Sequence, residues 1–292
     1  MQLADKNQVA KSLGGRLFLN KFMKLLFLLC TMVGLVVLVT LIVDTVLGGW
    51  EYLTRDFLTS FSSSRPESAG IYGAIIGSIW LMAVTAPVAI VLSVGTALYL
   101  EEYAPKNKIT NFITINISNL AGVPSVVFGL LGLTIFVRQL SLGNSVMAAG
   151  LTLALMIMPV IVVAAQEAIR AVPGFVREAS IGMGATKWQT VSRIILPAAI
   201  PGIITGIILA LSRAIGETAP LVVIGVPVSL LVTPNSVFDT FQALPMQIYN
   251  WVKMPQAEFQ YLTAAGIIIL LLILFLMNSA AIYIRNKYSK RF

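Results

Sequence analysis

From Leu25 to Val43 the chain carries no charged side chain, and five further stretches of comparable length are almost as free of charge. A helix rises about 1.5 Å per residue, so about 20 such residues cross the roughly 30 Å hydrocarbon core of a bilayer. Inside lipid every backbone polar group must be satisfied within the protein, which leaves helices or a closed barrel, and apolar runs this long select helices. Spans are predicted at 25–47, 72–100, 112–137, 145–166, 198–226 and 262–284. The expected fold class is an all-α membrane protein with six transmembrane helices. Only 11% of the residues are charged, against about 25% in soluble domains.

Five cations precede the first span, as in a secretory signal. The uncharged run is longer than a signal's apolar core, however, and no small-residue cleavage site follows before Gly48-Gly49-Trp50, so the segment is expected to stay as a helix. Orientation follows from Lys and Arg. With both termini in the cytoplasm, the tails 1–24 and 285–292, the loop after the second span and the loop 167–197 hold fifteen of the 20 cations. The external side holds Arg55, Arg65, Arg138 and Lys253, and Arg213 is left inside a span. That asymmetry is the positive-inside pattern of a multi-pass protein of the cytoplasmic membrane. The net charge of +8 is thus topology rather than a nucleic-acid surface, because the cations are split among loops. Histidine is absent and Cys30 is the only cysteine. No imidazole metal site and no internal disulfide can form, and neither a metal nor a catalytic residue is expected.

No loop is long enough to bury a core of its own. The external loop 227–261 carries four prolines but also the apolar stretches VSLLV and LPMQIYNWV. A short interfacial helix is expected over 241–252, with Tyr249 and Trp251 as anchors at the membrane surface. Asp44, Glu101, Glu102 and Arg138 fall at span ends and are read as solvated. The pairs Gly73/Gly77, Ser125/Gly129 and Gly202/Gly206 have the small-xxx-small spacing that lets helices approach closely.

The loop 167–197 reads EAIRAVPGFVREASIGMGATKWQTVSRIILP. Pro173 ends the preceding helix. A short helix follows with Phe175, Ala179 and Met183 on one face, and Gly184 permits a turn. A second helix places Trp188, Val191 and Ile195 on one side before Pro197. A helix–turn–helix at the cytoplasmic surface suits a groove on a soluble partner. The phosphate-loop pattern fails in GMGATKWQT, because Lys187 stands where glycine belongs and Trp188 where lysine belongs, so no nucleotide site is expected in this chain.

The spacing E-A-A, three residues, G, nine residues, I-x-L-P is characteristic of permease subunits of ATP-binding-cassette importers. Glu178, Ala179, Ser180, Gly184, Ile194, Leu196 and Pro197 occupy those places, with Ser180 for the second alanine, so the chain resembles that family. GVPSVVFGLLG (122–132), the stretch 178–221 and ALPMQIYNW (243–251) make it similar to phosphate-importer permeases of the PstA type. The resemblance implies the type I importer fold and a bacterial or archaeal membrane. It implies a second permease of the PstC type, two copies of a PstB-type ATPase that binds ATP-Mg, and an external phosphate-binding protein of the PstS type. The chain itself would hold no cofactor, and loop 167–197 would be the coupling helix seated on the ATPase. Molybdate or sulfate is the alternative cargo.

Arg213 and Glu217 lie at i and i+4 in the span 198–226. An arginine at membrane depth costs about 2.5–3.5 kcal/mol on insertion scales and faces a bundle interior or a water-filled cavity. The pair either neutralises itself and joins helices, or forms a cationic station whose guanidinium binds an oxyanion. Gly216 and Pro220 bracket Glu217, and Gly122, Pro124 and Ser125 make a similar device in the third span. Both are expected to serve as a gate or helix break. An ion-driven secondary transporter would need ionisable residues in several spans, whereas only this one pair is present. A receptor or scaffold has no use for the buried arginine.

Overall fold

The computed structural model describes the backbone of residues 6–288 and the side chains of 15–287, so Lys290 and Arg291 of the predicted tail lie outside the described residues. Twelve α-helices follow in order among the described residues: α1 Lys6–Gly49, α2 Arg55–Thr59, α3 Tyr72–Leu98, α4 Lys108–Leu120, α5 Ser125–Gly132, α6 Val146–Arg170, α7 Gly174–Gly182, α8 Lys187–Thr190, α9 Leu196–Gly216, α10 Ala219–Ile224, α11 Leu244–Val252 and α12 Glu258–Tyr288. Wider π-helical turns continue α3 over Tyr99–Tyr103, α5 over Leu133–Gln139 and α8 over Val191–Ile195. The starts of α4, α6 and α8 are set by polar side chains that accept from orphan backbone N–H groups. Asn107 caps α4 through Thr110 N at 2.8 Å, Ser145 caps α6 through Ala148 N at 3.2 Å, and Thr186 with Gln189 forms a capping box at α8.

Five helical stretches are long and apolar enough to cross a membrane, and α4 with α5 makes a sixth if the bent pair is one span. The predicted third span, 112–137, is therefore not one straight helix: α4 and the segment Ser125–Gln139 meet at 104°. Residues 121–124 between them are non-helical. Pro124 lacks an N–H and disfavours helix at Val123, and Gly122 adds a weak helix former at the same place. From Lys6 onward the predicted tail 1–24 is helical and runs into the first span without a break. At 44 residues, α1 is about 65 Å long, twice the thickness of a bilayer core.

α6 is the most buried helix and organises the bundle. On one side α3 packs against it, with Gly150 against Val84 and the Ser93 hydroxyl donating to the Met158 carbonyl at 3.2 Å. On the other side α9 lies close, with Gly202 and Gly206 set against the Cβ atoms of Ala168 and Ala164. Gly73 and Gly77 do not meet a helix. They make room for Phe61 and for the backbone of Gln242, which leads into α11.

The expected interfacial helix exists as α11, but its tryptophan is no surface anchor. Trp251 is 1% exposed and packs against Phe57 and Phe259, with ring centroids 5.9 and 6.4 Å away. Gln247 donates to the Gly70 carbonyl at 2.7 Å and Ser78 accepts from Leu244 N at 2.8 Å. These bonds satisfy polar groups that would otherwise be costly to bury, and they fix α11 as a cap over the start of α3. α1 meets this cap end, where Gly48 and Gly49 lie against Ala264 and Ala265 of α12 and Tyr52 stacks on Tyr261 at 5.3 Å. Its side chains from Leu17 to Val43 are exposed.

Candidate functional site

At the end opposite α11, α7 and α8 form the predicted helix–turn–helix. Gly184 turns the chain with φ +85°, a region in which a side chain is strained. Ser180 is buried and its hydroxyl lies 2.8 Å from that of Thr190, which ties α7 to α8. Glu178 and Ala179 are exposed, and Ile194, Leu196 and Pro197 are half-buried where the chain enters α9. Phe175, Met183 and Trp188 are 71%, 89% and 69% exposed. Trp188 thus parts from Val191 and Ile195, which are buried against α6. A row of large apolar groups left in the open at one end of a bundle marks an interaction surface.

Glu101 and Glu102, read as solvated from their place at a span end, hold this loop instead. Glu101 accepts from Gln166 Nε2 at 2.9 Å and from Arg170 Nε and Nη2 at 3.0 and 2.7 Å. Glu102, with its side chain only 4% exposed, accepts from Arg177 Nη2 in α7. Asp44 and Arg138 are exposed as expected. The sequence signal that could have found these pairs is weak: two acidic residues at one helix end and two arginines, at positions 170 and 177, that the positive-inside pattern already accounts for.

Span 5 breaks. α9 ends at Gly216, Glu217 is extended with φ −75° and ψ 120°, and α10 starts at Ala219 with Pro220 in its first turn. Pro220 has no N–H to offer the Gly216 carbonyl, so a continuous helix would lose a bond there. Arg213 is consequently not at the centre of an unbroken helix but in the last turn of α9, where the helix dipole favours a cation. Its Nε donates to Glu217 Oε1 at 3.1 Å, and among the described residues this is the only hydrogen bond of the guanidinium. Both Nη groups are open, and the side chain is 49% exposed against 18% for Glu217. At the residue before Arg213, the Ser212 hydroxyl lies 2.7 Å from Asn278 Oδ1 of α12, a polar contact that sequence reading missed because a lone Asn in an apolar run carries no periodicity.

The half-helices after the two breaks pack on each other. Gly129 of α5 lies so close to α10 that a Cβ there would sit 2.9 Å from Pro220 Cα and 3.0 Å from Val223 Cβ. Gly122 and Pro124 form the bend itself, and among the described residues no side-chain hydrogen bond ties Ser125 to Arg213 or Glu217.

Residues 89–290 match the family of binding-protein-dependent transport system inner membrane components. The chain belongs to this family. The matched region covers the helix–turn–helix, both broken helices and the arginine. The permease is 34% identical to the phosphate transport system permease protein PstA 1 of Mycobacterium tuberculosis over 264 residues, 89% of this chain and 86% of that one. It is 37% identical over 196 residues to the probable ABC transporter permease protein YqgI of Bacillus subtilis, 67% of each chain. Among solved structures, the inward-facing MetNI methionine ABC transporter superposes with a TM-score of 0.60 at 19% identity, over 78% of this chain and 100% of that one. That likeness gives the fold of ABC importer permeases. As the membrane-spanning component of such a system the chain is not itself catalytic; it works with an ATPase, which binds the ATP, and with a binding protein.

Proposed function

We propose that this permease forms half of the pathway of an ATP-driven importer of inorganic phosphate, with Arg213 as the anion station. A single observation carries the reading: an arginine in the last turn of an apolar, membrane-length helix, at a helix break, whose two Nη groups stay open while Glu217 fixes its Nε. A guanidinium held on one side presents its remaining donors in the fork geometry that matches a phosphate oxyanion. Left against lipid, the same half-exposed group would be costly, so its open face belongs to a water-filled pathway shared with a second permease of the PstC type. Glu217 keeps the site from binding too tightly, since a conduit must release what it takes up. The names of the relatives support phosphate as the cargo.

In this reading both termini and loop 167–197 face the cytoplasm. The exposed apolar row Phe175, Met183 and Trp188 seats in a PstB-type ATPase, of which the complex holds two copies, and the α11 cap receives a PstS-type phosphate-binding protein. Gly122, Pro124, Ser125, Gly216 and Pro220 supply the breaks about which the half-helices move.

The test is uptake of radiolabelled phosphate by proteoliposomes holding the complete complex. Wild type is expected to take up phosphate with ATP inside, and Arg213→Ala to abolish uptake while still co-purifying with its partners. Normal uptake by that variant overturns the station, and wild-type uptake of sulfate or molybdate in place of phosphate overturns the cargo.

A further inference from the structure

Three consecutive residues at the end of α3 each hold a different element of the docking end. Glu101 binds Arg170 and Gln166 of α6, Glu102 binds Arg177 of α7, and the Tyr103 ring lies under Lys187 of α8, with Nζ 5.1 Å from its centroid. All three belong to the π-helical turn Tyr99–Tyr103. In an α-helix successive side chains are about 100° apart, and a π turn widens the local backbone, which is why such turns recur at functional places. Here the widened turn splays three neighbouring side chains toward three separate helices.

We infer that this π turn is the joint through which the docking helix α7 moves α3, with Glu102 and Arg177 as its central positioning pair. The inference rests on the reading of α7 and α8 as the ATPase contact. Glu102 is almost wholly buried while Arg177 is a third exposed, and an open polar cleft lined by Glu101, Lys106, Thr110, Arg170 and Arg177 borders them. A buried carboxylate that loses its only cation is left uncompensated, so the pair resists separation as α7 is pulled. Among the described residues α7 and α8 make no other ion pair with the end of α3; the Lys187–Tyr103 contact is the outer, exposed one. Force on the docking end therefore reaches α3 as a rigid movement, and through the close packing of α3 on α6 it reaches the bundle.

Two measurements on the full complex test this. In the first, phosphate transported is divided by ATP hydrolysed. Glu102→Gln and Arg177→Met are expected to lower that ratio about fivefold or more with the ATPase still bound, and Arg177→Lys, which can still reach the carboxylate, to restore most of it. Lys187→Met removes only the outer, exposed contact and should lower the ratio about twofold without affecting assembly. In the second, spin labels at Leu92→Cys on α3 and Gly182→Cys at the end of α7, in a Cys30→Ser background, report whether the two helices move as one. Their separation should stay constant when ATP binds in the otherwise unchanged protein and shift in Glu102→Gln. An unchanged transport ratio in Glu102→Gln and Arg177→Met overturns the joint, as does a wild-type label distance that changes with ATP as much as in the variant. If Glu102→Gln does not assemble, an unchanged ratio in Lys187→Met overturns it. The label distance needs no transported solute, so failure of phosphate as cargo leaves this test standing.

Discussion

The hydroxyls of Ser180 and Thr190 meet at 2.8 Å across the turn between α7 and α8, and both residues are buried. Ser180 is the one position at which the helix–turn–helix of loop 167–197 departs from the alanine of the family pattern, and the departure has a partner. Removing one hydroxyl leaves the other buried and unpaired at a cost of about 1–3 kcal/mol, whereas replacing both with apolar groups of similar shape is nearly neutral. Ser180→Ala should therefore lower the unfolding temperature of the detergent-solubilised complex more than Ser180→Ala with Thr190→Val. Equal losses in the two would show that the bond contributes nothing.

Arg213→Lys keeps the charge and loses the fork. If the guanidinium binds an oxyanion through its two open Nη groups, a lysine replaces a two-point contact with a point charge. Phosphate uptake should fall at least about tenfold, which corresponds to about 1.4 kcal/mol of barrier. Initial rates in proteoliposomes measure it. A lysine variant at full activity would mean that charge alone suffices and that the geometry of the fork is irrelevant.

Gly206 and Ala164 set the approach of α9 to α6. A Cβ on Gly206 runs into the Ala164 methyl, and overpacking of this kind typically costs about 1–3 kcal/mol. Gly206→Ala should lower thermal stability and Ala164→Gly in the same chain should recover part of it, because the added methyl then fills the space vacated across the interface. Thermal denaturation of the three variants checks the pair, and a double variant no better than the single one counts against direct contact.

Trp188 and Trp251 should respond in opposite ways. Trp251 is buried among Phe57 and Phe259, and truncation of a large core aromatic costs about 3–5 kcal/mol. Trp251→Ala should accumulate poorly and melt early. Trp188, exposed at the end formed by α7 and α8, should tolerate alanine with little change in melting but, if that end seats the ATPase, retain less of it through affinity purification. Stable binding of the ATPase to the Trp188 variant would take that side chain out of the interface.

The sequence by itself determined what depends on local chemistry and on one-dimensional pattern. Long uncharged runs gave the helical membrane class, because lipid offers a backbone no alternative partner. Pro124 and Pro220 marked where helices stop, because a missing N–H acts on its own turn. The helix–turn–helix of loop 167–197 was legible through residue types at fixed spacing, and Arg213 stood out because no loop could claim it. Only the tertiary structure decided what depends on residues far apart along the chain. It took Glu101 and Glu102 from expected solvent to Arg170 and Arg177, some seventy positions on. It moved Trp251 from the membrane surface into a core, and turned the Gly77 gap toward Gln242 rather than another helix. A charge or a ring has no period that names its partner. Which distant group it meets is set by how the helices pack, and that follows from the sum of many small contacts rather than from any short stretch of sequence.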